Sequence, residues 1–222
     1  MDGNEVNWQD THVLIATPTA GYIQPETVAS TIGMIQANAR FREEYRLGLH
    51  WSYLSGYDVA SARNKLVRKA QDHLQGITHI LFVDDDVTFR PEYVRKMVED
   101  DCDVVLGWYL HRYRENGGDG KTNICRLGEY DFRDQIKAEE LKDPARLADP
   151  VFQVHGGGLG FALISMDVFD VLSEPWFRWA DHERGTLSED LWFAHRCALE
   201  GIEMYTDARI KCGHTMRYVK EP

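Results

Sequence analysis

Short apolar runs separated by polar segments dominate the first half of the chain. Three of the runs are five or six residues long and rich in β-branched and aromatic residues, which is typical of buried strands. A fourth, around Trp51, alternates apolar and polar positions as a half-buried strand does. The predicted strands cover residues 12–16, 47–53, 78–83 and 103–107.

Helical periodicity fills the segments between these strands. Apolar residues recur at three- and four-residue spacing, as on the buried face of a helix. Asp58 is placed to cap the second helix, and Pro91 suits the first position of the third. The predicted helices cover residues 26–40, 58–74 and 91–98. Alternation of strands and helices predicts an α/β fold with a mostly parallel central sheet covered by helices on both faces.

The pattern breaks between residues 108 and 150. This segment contains a glycine-rich stretch and scattered charges, which indicates an irregular insert or mobile loop, or alternatively a small extra hairpin. Regular structure returns with further short strands and one helix that ends at Gly201. These elements cover residues 151–154, 161–164, 189–200, 204–206 and 208–210. No linker interrupts the chain, so we predict a single domain over residues 1–222 with a small antiparallel addition.

Composition indicates a soluble globular protein. The chain has 222 residues, 43% hydrophobic and 27% charged, and a formal net charge of −11. No apolar stretch approaches the ~20 residues that a membrane span needs, and the polar N-terminus does not resemble a secretory signal. We therefore expect a cytoplasmic protein (of the host cell if viral) with no membrane span. The acidic charge disfavours duplex DNA as a partner, because DNA binding depends on neutralising phosphates.

Three consecutive acids, Asp84, Asp85 and Asp86, follow the strand at 78–83. Like charges at contact distance repel, so this arrangement is costly unless a cation compensates. Mg²⁺ and Mn²⁺ prefer carboxylate oxygens and bind proteins through one or two carboxylates together with substrate phosphates. The alternative is a solvated acidic turn before a helix.

A glycine-rich segment lies between His155 and Gly160. It indicates a backbone that is approached closely by a ligand, or a glycine-rich corner of the sheet. A dinucleotide fingerprint is excluded because the glycine spacing is wrong and a strand follows. The oxyanion-hole motif of esterases is excluded because the chain has no GxSxG turn.

Two further candidates lie near the end of the chain. Glu189 is three residues after Thr186, which is the spacing of a capping box at a helix start. Asp190 follows in the first helical turn, where the helix dipole favours an ionised carboxylate that can act as a general base. His214 is either a structural histidine or a ligand to a metal that the aspartates share.

Six short segments of the chain occur in the order found in one group of enzymes. They are Thr17-Pro18-Thr19, Ala62-Arg63-Asn64, Asp84-Asp85-Asp86, His155 to Gly160, Glu189-Asp190 and Gly213-His214. Together they resemble the glycosyltransferases of the GT-A fold, which is Rossmann-like, and are similar to the family-2 type. In this resemblance the acidic triplet matches the DxD motif, Glu189-Asp190 the "ED" motif, and His214 the C-terminal metal histidine. Residues 108–150 have no counterpart.

The resemblance implies a metal-dependent transfer of a sugar from a UDP- or GDP-sugar to an acceptor hydroxyl. Asp86 and His214 would bind Mn²⁺ or Mg²⁺, and Asp84 would contact the metal or the ribose. Asp190 would be the catalytic base, with Gly157, Gly158 and Glu189 placing the acceptor. The implied donor-binding residues are Thr17, Pro18, Thr19, Arg63, Asn64, Asp84 and Asp85.

An inverting displacement is the family expectation when an aspartate is the base, although retaining enzymes share the fold and the DxD motif. With no anchor predicted, a soluble acceptor is favoured; modified nucleic acid is an alternative that the net charge disfavours. Two other functions stay open. One is a non-catalytic nucleotide-sugar or glycan-binding module of the same fold. The other is a nucleotidyltransferase, which the absence of a lysine-rich phosphate loop after the first strand disfavours.

Overall fold

The computed structural model describes residues 6–110, 120–127, 134–182 and 185–215. Fourteen strands lie in these ranges. In chain order they are β1 (His12–Thr19), β2 (Gly48–Ser55), β3 (His79–Val83), β4 (Val87–Thr88), β5 (Val104–Trp108), β6 (Lys121–Cys125), β7 (Gln135–Lys137), β8 (Val151–Val154), β9 (Gly156–Gly157), β10 (Phe161–Ser165), β11 (Ala180–His182), β12 (Gly185–Leu187), β13 (Met204–Lys211) and β14 (Gly213–His214).

Seven α-helices accompany the strands in the described ranges. They are α1 (Pro25–Asn38), α2 (Val59–His73), α3 (Tyr93–Glu99), α4 (Ala138–Leu141), α5 (Pro144–Ala148), α6 (Met166–Val171) and α7 (Glu189–Leu199). Across the described part of the chain, no helix combines the length and apolar character needed to cross a membrane.

The central sheet has seven strands in the order β2-β1-β3-β10-β5-β13-β8. Neighbours are parallel in the pairs β1–β2, β1–β3 and β5–β13, whereas β10 and β8 run antiparallel to their neighbours. Five strands therefore share one direction, and the predicted mostly parallel sheet is confirmed. Small antiparallel sheets surround it, one of them formed by β7, β6 and β9.

Apolar residues cover both faces of this sheet. Alternate residues of β1 point to opposite sides: Leu14 and Ala16 join a core that includes α2, α6 and α7, and Val13 and Ile15 join one that includes α1 and α3. This alternation of buried side chains explains why the strand is continuously apolar from Val13 to Ala16. The prediction of helices on both faces is confirmed.

Several predicted boundaries need correction. The two short strands predicted at 204–206 and 208–210 are one strand, β13, whose register against β5 shifts after Thr206. Helix α3 begins at Tyr93, two residues after the predicted Pro91. Asp58 caps α2 as predicted, since its carboxylate accepts a hydrogen bond from the Ser61 amide at 3.0 Å.

The structure excludes the alternative in which Thr186 and Glu189 form a capping box at α7. Thr186 lies in strand β12, and Ser188 occupies the N-cap position. Because the β11–β12 hairpin extends up to the helix, the chain turns into α7 later than the spacing suggested. Glu189 is therefore available for a role other than capping.

The segment 108–150 is partly regular. Its β6 and β7 pair antiparallel, and α4 and α5 follow, so the hairpin alternative is correct where the segment is described. Strand β6 also pairs with β9, which brings Ile124 opposite Gly157. The insert is therefore attached to the glycine-rich segment. Residues 111–119 and 128–133 of the predicted insert lie outside the described residues.

Candidate active site

The acidic triplet lies where β3 ends, at the edge of the sheet where β1, β5 and β13 also end. Asp84 Oδ1 accepts a hydrogen bond from Arg63 Nη2 at 2.8 Å. Asp85 Oδ2 accepts one from the Thr19 hydroxyl at 2.8 Å. The three carboxylates therefore have different environments. Asp86 is the member of the triplet that lies beside a residue near the C-terminus, His214.

Asp86 and His214 are brought together by two very short strands. β4 and β14 pair so that His214 lies opposite Val87, and Thr215 donates to the Asp86 carbonyl from both its amide, at 2.8 Å, and its hydroxyl, at 2.9 Å. His214 Nε2 lies 3.3 Å from Asp86 Oδ1. Two residues that are 128 positions apart in the sequence thus share one site.

The donor set of this pair fits a hard divalent cation. His214 Nδ1 lies 3.3 Å from the Leu110 carbonyl, which can only accept a hydrogen bond, so Nδ1 is the donor there. In a neutral imidazole the Nε2 lone pair then faces Asp86, which is the arrangement of metal-binding histidines whose other ring nitrogen is held by a carbonyl. Within the described ranges, no three His, Cys, Asp or Glu side chains form a metal-binding group. Asp84 is not part of the pair, because its carboxylate is directed towards Arg63.

Arg63 is almost fully buried, at 2% exposure. It lies between Asp84 and Glu189, whose Oε1 is 3.9 Å from Arg63 Nη1. Burial lowers the pKa of the guanidinium, but the charges of Asp84, Glu189 and Asp190 outweigh burial, and the net pKa is raised. Burial raises the pKa of Glu189, and Arg63 opposes that change. Glu189, which was predicted to help place the acceptor, therefore points at the buried side chain of Arg63.

Asp190 lies in the first turn of α7. Its Oδ1 accepts hydrogen bonds from the Leu191 amide at 2.8 Å and from the Ser188 hydroxyl. Oδ2 faces the glycine-rich segment, since a Cβ added to Gly158 would lie 3.6 Å from it. One oxygen is thus held by the helix start, and the other is directed into the space that Gly158 leaves open.

The glycine-rich segment approaches Tyr109 closely. A Cβ at Gly158 would lie 2.7 Å from the Tyr109 hydroxyl, and one at Gly160 would lie 2.6 Å from that hydroxyl and 3.0 Å from Asp84 Oδ2. Only glycine leaves room for the phenol here. Gly157 has a different role, because it packs against the backbone of Asn123 on β6.

Tyr109 and Asn123 are site residues that the sequence analysis missed. The side-chain Nδ2 of Asn123 donates to the carbonyls of Gly107 and Gly158 at 3.1 and 3.0 Å, and its Oδ1 accepts from the backbone N–H of Tyr109 at 2.8 Å. Both residues belong to the segment 108–150, which has no periodicity. The available signal was the position of Tyr109, directly after a strand that ends at the ligand-binding edge of the sheet.

The remaining predicted donor residues divide into two groups. Pro18 and Thr19 line a cleft of about 280 Å³ together with the acidic triplet, Tyr57 and Asp58. Thr17 is buried and accepts a hydrogen bond from Trp51 Nε1 at 3.2 Å. The side-chain amide of Asn64 bonds to the backbone of Ala60, Trp176 and Phe177, and so anchors the segment before β11 to α2.

Comparison with known proteins finds similarity in structure alone. No family model and no curated protein sequence matches the chain. The crystal structure of A197 from STIV matches with a TM-score of 0.57 and 17% identity over 96% of this chain and 98% of that one. The crystal structure of GalNAc-T7 with UDP, GalNAc and Mn²⁺ matches with a TM-score of 0.58 and 10% identity over 96% of this chain and 45% of that one.

The chain therefore spans less than half of the GalNAc-T7 chain that it matches. At these identities the similarity establishes the fold alone. Both the topology of the central sheet and these neighbours lead to one conclusion: the chain has a GT-A-like fold.

Proposed function

We propose that this protein is a metal-dependent glycosyltransferase, similar to the family-2 type, that moves a sugar from a nucleoside-diphosphate donor to an acceptor hydroxyl. The observation that supports it most directly is the pairing of Asp86 with His214 at 3.3 Å beside the cleft at the end of β3. The Asp86 carboxylate is the type of ligand that Mn²⁺ and Mg²⁺ prefer, and His214 would add an imidazole nitrogen while a diphosphate supplies further oxygens.

The donor would lie in the cleft formed by Pro18, Thr19 and the acidic triplet. GalNAc-T7, which shares the fold, was solved with UDP, GalNAc and Mn²⁺, so a UDP-sugar is the first donor to test and a GDP-sugar the second. A divalent cation held by Asp86 and His214 would neutralise the charge of the diphosphate and of the leaving group. Arg63 holds Oδ1 of Asp84, which would leave Oδ2 available to contact the ribose.

Asp190 is the base in this proposal. Its Oδ2 takes the proton from the acceptor hydroxyl while the acceptor oxygen attacks the anomeric carbon. The bond from that carbon to the phosphate oxygen breaks, and the nucleoside diphosphate leaves. The bonds from Ser188 and Leu191 to Oδ1 orient the carboxylate, so that Oδ2 is the oxygen available for the proton. Direct attack of this kind inverts the anomeric configuration.

The experiment is a turnover assay with Mn²⁺ and a panel of nucleotide sugars, in which released nucleoside diphosphate is measured. Wild-type protein is expected to release it, and Asp86→Asn to lose the metal-dependent release. Asp190→Asn is expected to keep donor binding and to lose roughly 10²–10⁴-fold in acceptor transfer, as removal of a general base does. The matched control is Asp72→Asn, which changes an exposed acid on α2 and should behave as wild type.

Two outcomes would contradict the proposal. Equal release by wild type and Asp86→Asn would separate the acid from the reaction. Donor binding without turnover, with every acceptor offered, would favour the nucleotide-sugar-binding module.

A further inference from the structure

The Tyr109 side chain carries a hydroxyl that the proposed reaction does not use. The side chain follows β5, is 7% exposed, and lies against His214 with a ring-centroid distance of 5.0 Å. Its hydroxyl oxygen accepts a hydrogen bond from the Gly160 amide at 3.2 Å. Among the residues that the structure describes, the phenolic O–H itself donates to no acceptor. The oxygen therefore has one partner, and the hydroxyl proton remains available to a ligand.

The hydroxyl lies between the two halves of the site. On one side Asp84 Oδ2 borders the same space at Gly160, and on the other Asp190 Oδ2 borders it at Gly158. A donor whose diphosphate lies near Asp86 and whose anomeric carbon is reached from Asp190 must place its sugar between them. Tyr109 therefore faces the position of the transferred sugar.

The phenol is suited to donate a hydrogen bond there. A phenol ordinarily loses its proton only near pH ~10, so the hydroxyl has a proton to donate. The Gly160 amide occupies one lone pair of the oxygen and fixes the phenol in place. The backbone is held as well, because Asn123 bonds to the Tyr109 amide at 2.8 Å.

We propose that Tyr109 is a specificity-determining residue that donates a hydrogen bond from its buried hydroxyl to one hydroxyl of the transferred sugar. This inference rests on the proposed function, and it adds to that function the residue that selects the donor sugar. A site built to bond a particular hydroxyl discriminates strongly against a sugar that lacks it, because the buried partner is then left unsatisfied.

The test compares nucleotide sugars that differ by a single hydroxyl, as epimers or deoxy analogues. For donors that have the recognised hydroxyl, Tyr109→Phe is expected to lower kcat/KM by about 10- to 100-fold. For the analogue that lacks this hydroxyl, variant and wild type should be equal. The affinity for the nucleoside diphosphate with Mn²⁺, measured by calorimetry, should not change. If Tyr109 had a merely structural role, the variant would instead lose kcat/KM on both kinds of donor and affinity for the nucleoside diphosphate.

Tyr93→Phe is the matched control. Tyr93 is also buried, and its hydroxyl donates to the Lys211 carbonyl at 3.1 Å, on the α3 side of the sheet. Its removal should leave sugar discrimination unchanged. If Tyr109→Phe does not fold, the comparison is made on wild type alone: kcat/KM for the deoxy analogue should be about 10- to 100-fold lower than for the donor that has the hydroxyl. Equal values for the two donors would overturn the assignment.

The possible failures are distinguishable. Wild-type protein that neither binds nor turns over any nucleotide sugar overturns the proposed function and this inference together. Wild-type turnover, with Tyr109→Phe equal to wild type on every donor or impaired equally on all of them, overturns the assignment of Tyr109 alone.

Discussion

Arg63 shows how the surroundings of one residue decide its role. The family resemblance implied that Arg63 contacts the donor. In the structure its side chain is instead buried between Asp84 and Glu189. It also lies 5.3 Å from the centre of the Phe82 ring. A buried cation with acids on two sides holds both acids in place. We infer that Arg63 positions the acids of the donor and acceptor sides.

Replacing Arg63 should therefore act first on stability. Arg63→Met leaves Glu189 buried without its counter-charge, and breaking such a pair costs about 3–5 kcal/mol. Arg63→Lys keeps the charge but not the planar fork, so it should fall between methionine and wild type. Denaturant unfolding measures both. A methionine variant as stable as wild type would show that Glu189 is not held by this charge.

At the scale of elements, strand β6 links the insert to the candidate active site. β6 pairs with β7 on one side and with β9 on the other, and Asn123 bonds to three backbone groups around the glycine-rich segment. The insert is thus a support for the site rather than only a loop beside it.

Asn123→Ala should weaken both the fold and the site. Two carbonyls and one amide lose their buried partner, which we expect to cost about 3 kcal/mol. Thr122→Val is the matched control, since Thr122 bonds to the Ile136 carbonyl within the insert. Unfolding and donor affinity measured on both variants separate the effects. Both variants should lose stability, and only Asn123→Ala should lose donor affinity; an equal loss of affinity in both would contradict the assigned role.

At the scale of the whole molecule, the central sheet and the small sheets around it differ in how far they could be predicted from the sequence. Strands β1, β3 and β5 were found because burial on both faces makes every position apolar, which is a local pattern. The same local logic located Asp84 to Asp86. Strands β4 and β14 have two residues each and no detectable periodicity, so the meeting of Asp86 with His214 could be expected only by resemblance. Tyr109 and Asn123 depend on strand pairing with β9, which no local pattern encodes.

A buried acid outside the candidate active site is expected to make the stability of the molecule depend on pH. The Asp100 side chain, at the end of α3, is 3% exposed and lies 3.1 Å from Arg209 on β13. Burial, with the charge of Asp207 and against that of Arg209, raises the pKa of Asp100 from 3.8 to about 7. Between these two pH values the folded state holds a proton on Asp100 that the unfolded state has lost. The contribution of Asp100 to stability therefore falls as pH rises through this range and no longer changes above it.

Wild-type protein should therefore be less stable at pH 8 than at pH 5, by about 2 kcal/mol from this group. Asp100→Asn removes the titration and should flatten that part of the pH dependence. Denaturant unfolding of both proteins at the two pH values tests this. Identical pH dependence in wild type and variant would mean that Asp100 titrates normally.

The most direct test of the central claim is the binding of Mn²⁺ to wild type and to His214→Ala, measured by electron paramagnetic resonance with UDP or GDP present. If Asp86 and His214 hold the cation together with a diphosphate, wild type binds a single Mn²⁺, which His214→Ala loses. His73→Ala, which removes an exposed histidine at the end of α2, retains it. Equal Mn²⁺ binding by wild type and His214→Ala would contradict the account.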